Sequence, residues 1–176
     1  MGIADSAFIL SGFAPDQDVT SVNASVLSAG FRFHRKDPTD PNGSEFLLEG
    51  ADYVIEALVS SKVGQTATPH NVSFRFAVCN PVPVVGIALD RALAVSISTG
   101  ATASDNEQKR YDLRHVVERS TFSEFLMRDY LGRRNCLVED FGWEPEYMKL
   151  TTPQFYKFLT AKARERRANT NRAGNS

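Results

Sequence analysis

The histidines and cysteines of this 176-residue chain that could act as nucleophile, base or metal ligand are His34, His70, His115, Cys79 and Cys136. A structural zinc site needs about four converging donors, and none of these lies at ligand spacing from another. With no CxxC, neither a zinc nor a disulfide framework is predicted, and no metal or cofactor is expected. His34 stands among basic residues and His115 beside Arg114 and Arg119, so both are expected at the surface. Cys79, nine positions after His70, could pair with it as nucleophile and base. Such activation needs spatial contact and a third, orienting group. A buried cysteine acting as a small hydrophobe is the plainer reading. Glu139, Asp140, Glu144 and Glu146 surround Phe141 and Trp143. They offer either acid–base or cation chemistry, or a solvated acidic loop packed by its rings, and nothing in the spacing fixes the geometry that catalysis demands. Phosphate-loop, dinucleotide and GxSxG patterns are absent. No catalytic residue is assigned, a non-enzyme is expected, and no small-molecule substrate is evident.

The cations point elsewhere. The net charge is −1, yet the segment from Thr151 to Ser176 carries Lys157, Lys162, Arg164, Arg166, Arg167 and Arg172 against Glu165 alone, a net +5. A basic arm on an acidic remainder marks a nucleic-acid or acidic-protein partner, although cations also suit the end of an ordinary helix. Further candidates for phosphate contact are Arg32, Arg35 and Lys36, with His34 between them, then Arg75, then Arg133 and Arg134. Such residues neutralise phosphates without sequence preference. The slightly negative total argues against tight binding by one copy, and repetition in an assembly would supply what one copy lacks.

These residues need elements to hold them. Val72, Phe74, Phe76 and Val78 alternate with Ser73, Arg75, Ala77 and Cys79, which predicts a strand ended by Pro81 and Pro83. Phe31 and Phe33 alternate likewise with Arg32 and His34. Residues 36–44 hold Asp37-Pro38, Asp40-Pro41 and Asn42-Gly43 and predict a loop. Tyr53, Val54, Ala57 and Leu58 fall at helical spacing and predict a short helix over 52–61. Residues 63–70, with Gly64 and Pro69, read as loop. Residues 84–97 fit a helix or a strand end, with the alanines favouring helix, and 99–106 read as a polar linker. Leu113, Val116 and Val117 fall on one helical face over 111–119. Thr121-Phe122-Ser123-Glu124 reads as a capping box opening a second helix that Gly132 ends, with a further turn over 136–141. Thr151-Thr152-Pro153-Gln154 opens a last helix to about Ala168. On it Phe155, Phe158, Leu159 and Ala163 share one face, with Lys157, Arg164 and Arg167 opposite. The chain is thus expected to be a single α+β domain over 1–168, with a strand-rich N-terminal half, a helical subdomain over about 106–168, and a disordered tail at 169–176. An all-α bundle is the alternative. The twelve Phe residues predict a ring-rich core.

No window approaches the length of a membrane span, and the start lacks the basic region of a secretory leader. With two cysteines and no framework, a reducing, cytoplasmic setting is expected. The triplets at Asn23, Asn42 and Asn71 then read as chance occurrences, and Met1 to Ser6 as a coincidental myristoylation pattern lacking a second signal.

Thr121-Phe122-Ser123-Glu124-Phe125-Leu126-Met127-Arg128-Asp129-Tyr130 resembles the Thr-Leu-Arg-x-Phe-Cys-x-x-Tyr stretch of flexuous-filament plant-virus coat proteins, with one inserted residue. Asp140-Phe141-Gly142-Trp143 is similar to the aromatic end of rod-shaped coats. The Phe-Asp-Phe core motif of flexuous coats is missing, and no RNA-binding residue is carried over. The resemblance implies a largely helical, self-assembling protein of a virion, whereas 72–78 predicts strand. Together with the basic arm it leads to the expectation of a structural, coat- or nucleocapsid-like homo-oligomer in helical assembly that binds RNA. A small cytosolic adaptor module without catalysis is the alternative.

Overall fold

A computed structural model describes residues 5–37, 40, 43–62, 65–105, 108–141 and 147–173. The strands are β1 (Asp5–Ser11), β2 (Arg32–Lys36), β3 (Ser44–Glu49), β4 (Val54–Lys62), β5 (Gln65–Ala77), β6 (Thr102–Ser104) and β7 (Arg110–Tyr111). The helices are α1 (Val19–Ser28), α2 (Val84–Thr99), α3 (Val116–Phe141) and α4 (Thr152–Ala173). The strands form one antiparallel sheet in the order β2-β3-β4-β5-β1-β6-β7. The chain is therefore α+β, strand-rich in its first half and helical in its last third.

Alternation along the strands gives the sheet two unlike faces. Ser6, Phe8 and Leu10 of β1 align with Phe76, Phe74 and Val72 of β5, and Phe74 and Val72 align in turn with Ala57 and Val59 of β4. This face is apolar and buried. Phe74 stacks on Phe8 with ring centroids 5.2 Å apart, and Phe31 meets it edge-on at 5.8 Å. Helix α1 lays Val22 and Val26 on this side, α2 adds Ala88, Ala92 and Val95, and α3 adds Phe122, Leu126 and Tyr130. Phe122 sits edge-on to Phe8 at 5.4 Å, and Tyr130 lies 6.0 Å from Phe76. The other face carries Arg32, Arg35, Glu45, Glu49, Glu56 and Arg75 at matched register positions.

Local chemistry sets the helix ends. Asp18 and Ser21 form a reciprocal capping box at α1. Gly100, at φ +74°, ends α2 in the left-handed conformation that glycine adopts without a Cβ clash. Thr151 and Gln154 cap α4 reciprocally, with the Thr151 N–H donating to Gln154 Oε1 at 2.9 Å and the Gln154 N–H to Thr151 Oγ1 at 3.4 Å. This is where the sequence placed that start.

Several local expectations change. Residues 54–62 form strand β4, not a helix: Val54–Ala57 are buried at every position, so the alternation that marks a strand is missing over its first half. Residues 65–70 belong to β5, whose pairing with β4 absorbs Pro69 at a register shift. Residues 102–104 form β6 rather than a linker. Thr121 lies inside α3 and donates its hydroxyl to the Val117 carbonyl at 3.0 Å, so it caps nothing. Val116 and Val117 are exposed while Leu113 precedes the helix buried. Gly132 does not end α3, and 136–141 is its last turn. Helix α4 continues past Ala168 to Ala173, into the segment expected to be a disordered tail. The Met1–Ala4 part of the myristoylation pattern, Asn42, Gly64 and 174–176 lie outside the described residues.

Candidate nucleic-acid interface

The fold separates the candidate cations into two populations. The first belongs to the sheet and to α3, and its members are engaged within the chain. Register sets the sheet pairs. Arg75 on β5 stands opposite Glu56 on β4, and its Nη2 donates to Glu56 Oε1 at 3.1 Å. Arg35 on β2 stands opposite Glu45 and donates its Nε to Glu45 Oε2, a bond that raises the guanidinium's pKa. Arg32 donates to Glu49. Lys36 reaches the Ser44 hydroxyl at 3.4 Å. On α3, Arg133 donates to Asp129 one turn earlier at 2.8 Å, and that carboxylate also accepts from the Ser6 hydroxyl at 2.8 Å. Arg134 is buried, donates to the Val78 carbonyl at 2.7 Å and lies 4.2 Å over the Tyr147 ring.

These contacts serve the junction after β5. Tyr130 donates its hydroxyl to the Val78 and Asn80 carbonyls, and Asn80 accepts from the Val54 N–H at 2.8 Å while donating to the Ala77 and Leu150 carbonyls. Met148 N–H closes on the Cys79 carbonyl at 2.8 Å. The Glu56 carboxylate is buried, and its Oε2 accepts the Thr152 N–H at 3.0 Å. A buried carboxylate thus binds Arg75 on one side and the first turn of α4 on the other. Nearby Asp5 has its pKa raised, chiefly by burial, against the pull of Arg75 and Arg133. Beside this network a groove of about 440 Å³ is lined by Arg32, His34, Glu45, Glu49, Glu56 and Lys149 among others. Its mixed charge makes it no uniform seat for phosphate.

The second population is on α4. Phe155 and Leu159 are buried and Phe158 half-buried, so the first turns root the helix in the body. Lys157, Lys162 and Arg164 are exposed, and from Thr160 onward no described side chain is buried. Lys162 lies 3.8 Å from Glu165 in an exposed pair worth little in water. The side chains of Arg166 and Arg167 lie outside the described residues, though both positions are helical.

The alternative chemistries disperse. Cys79 is buried, and burial pushes its thiol up to about 12, while His70 is exposed on β5. A strand rises about 3.3 Å per residue, so much of β5 separates the two. His34 and His115 are exposed, with His115 beside Glu118. Among the described residues no group of three His, Cys, Asp or Glu is placed to hold a metal, and no helix is long and apolar enough to cross a membrane. Glu139 is exposed on α3, while the side chains of Asp140 and Phe141 and all of 142–146 lie outside the described residues.

Sequence reasoning overlooked Glu45, Glu56 and Asp129 as the anchors of the arginines. Strand register brings Glu45 and Glu56 to their arginines, with no local signal, whereas Asp129 stands four residues before Arg133 on α3, a spacing the sequence does record. No protein-family model matches the chain, nor does any curated protein or solved structure.

Proposed function

We propose that this chain is a structural protein that self-assembles and binds RNA without sequence preference, in the manner of a coat or nucleocapsid protein. The observation that carries the reading is α4, a 22-residue helix rooted by its first turns and cationic along the remainder. A polar helix with little tertiary packing is only marginally stable in water. A polyanion laid along it would neutralise its repelling cations and order it further. The phosphate contacts are assigned to Lys157, Lys162, Arg164, Arg166 and Arg167. The cations of the sheet and α3 are assigned to holding the fold, which narrows the wider set expected from sequence.

The reading is tested by size exclusion with light scattering, recording absorbance at 260 and 280 nm across each peak. An assembly carrying nucleic acid that high salt removes is the expected result. A lone monomer that takes up no RNA at low salt would favour an adaptor module whose α4 meets an acidic protein.

A further inference from the structure

Helix α3 turns Phe122, Leu126, Tyr130 and Leu137 into the body. A second stripe carries Glu124, Arg128, Leu131 and Gly132 exposed, with half-buried Ser123 and Met127 at its edge, Met127 also packing against the core, and together they line a shallow, open depression. Leu131 is 41% exposed. Glu124 and Arg128 are exposed, and neither has an ion-pair partner among the described residues. A Cβ built on Gly132 meets nothing within 4 Å. Packing within the chain therefore does not require this glycine, although glycine weakens a helix interior.

We infer that two copies of the chain meet through this stripe, α3 antiparallel to α3 about a two-fold axis passing near Met127; the inference rests on the self-assembly proposed above and names its interface. The stripe is self-complementary, as a two-fold contact requires. The axis sets Glu124 of one copy level with Leu131 of the other, and at each end Gly132 of one copy lets the backbones approach. Met127 and Leu131 fill the centre. Glu124 of each copy then lies within about one helical turn, ~5 Å along the axis, of Arg128 of the other. Each copy supplies one anion and one cation, so the pair forms twice. A parallel arrangement would instead set Glu124 beside Glu124 and Arg128 beside Arg128.

Charge reversal tests this. In Glu124→Arg both charges of the stripe are positive, and in Arg128→Glu both are negative. Each variant alone is expected to dimerise at least about tenfold more weakly than the parent, because like charges now meet twice across the axis. An equimolar mixture of the two is expected to regain a 1:1 dimer, read by sedimentation velocity with one variant labelled. Far-ultraviolet circular dichroism checks that both fold. Gly132→Ala, whose new methyl enters open space in its own copy, is expected to fold normally and to dimerise more weakly. Single variants as dimeric as the parent, or a mixture that stays monomeric, overturn the interface; RNA binding measured on the same samples shows whether the α4 reading survives alone. A parent that is monomeric at every concentration overturns both the interface and the proposed self-assembly.

Discussion

The two faces of the sheet are built from the same strands and stabilised by different means. On one, Phe8, Phe74 and Phe76 meet rings from the loop before β2 and from α3 in a dry layer. On the other, Arg75, Glu56 and the first turn of α4 are joined by hydrogen bonds. Burial of apolar area is non-directional and tolerates neighbours of many shapes. The charged face stabilises only while each buried group keeps its partner, since an orphaned buried charge costs more than the pair contributes. The difference also instructs on cations. An arginine opposite a glutamate in a sheet is committed to the fold, whereas a lysine on the solvent side of a rooted helix is free to meet a ligand.

Phe74→Ala should show the largest effect. It removes a fully buried ring with two aromatic partners and should cost about 3–5 kcal/mol in urea unfolding. A loss below that of the charged-face variant would reverse the ranking of the faces. Glu56→Ala comes second. It leaves the Arg75 guanidinium and the Thr152 N–H without their acceptor. Because Arg75 keeps 29% side-chain exposure, the cost should fall below the 3–5 kcal/mol of a fully buried broken pair, at about 2 kcal/mol. Glu56→Gln, which keeps one acceptor oxygen, should recover part of it. The smallest effect belongs to Thr151→Ala, which removes the α4 cap and should cost about 0.5–1 kcal/mol, with helix content falling in proportion to α4 alone.

Much of this was legible in the sequence wherever one element decided its own state. The alternation of 72–78, the Thr151 start and the ring face of α4 needed no tertiary information. The failures share a cause. Residues 54–62 lost their strand signature because Val54–Ala57 are buried at every position, so period-two alternation is missing over the first half of β4. Thr121 and Gly132 mimic helix punctuation, yet α3 runs through both because its buried face, from Phe122 to Leu137, is continuous across them. For the candidate site, the exposure of Lys157 and Arg164 followed from helical phase alone. The engagement of Arg32, Arg35, Arg75 and Arg134 depends on strand register and helix docking, which no single segment records, while the Asp129–Arg133 pair was open to reading from its i,i+4 spacing.

The most direct test is RNA affinity as a function of salt, by fluorescence anisotropy on a single-stranded oligonucleotide, for the parent chain, a Lys157→Ala, Lys162→Ala, Arg164→Ala triple variant and an Arg32→Ala, Arg35→Ala double variant. With about 0.7 in the log–log slope for each phosphate contact on a single strand, the triple variant should lose about 2 from the slope and the double variant nothing. An unchanged slope in the triple variant, or a loss confined to the double variant, would contradict the assignment of RNA contact to α4.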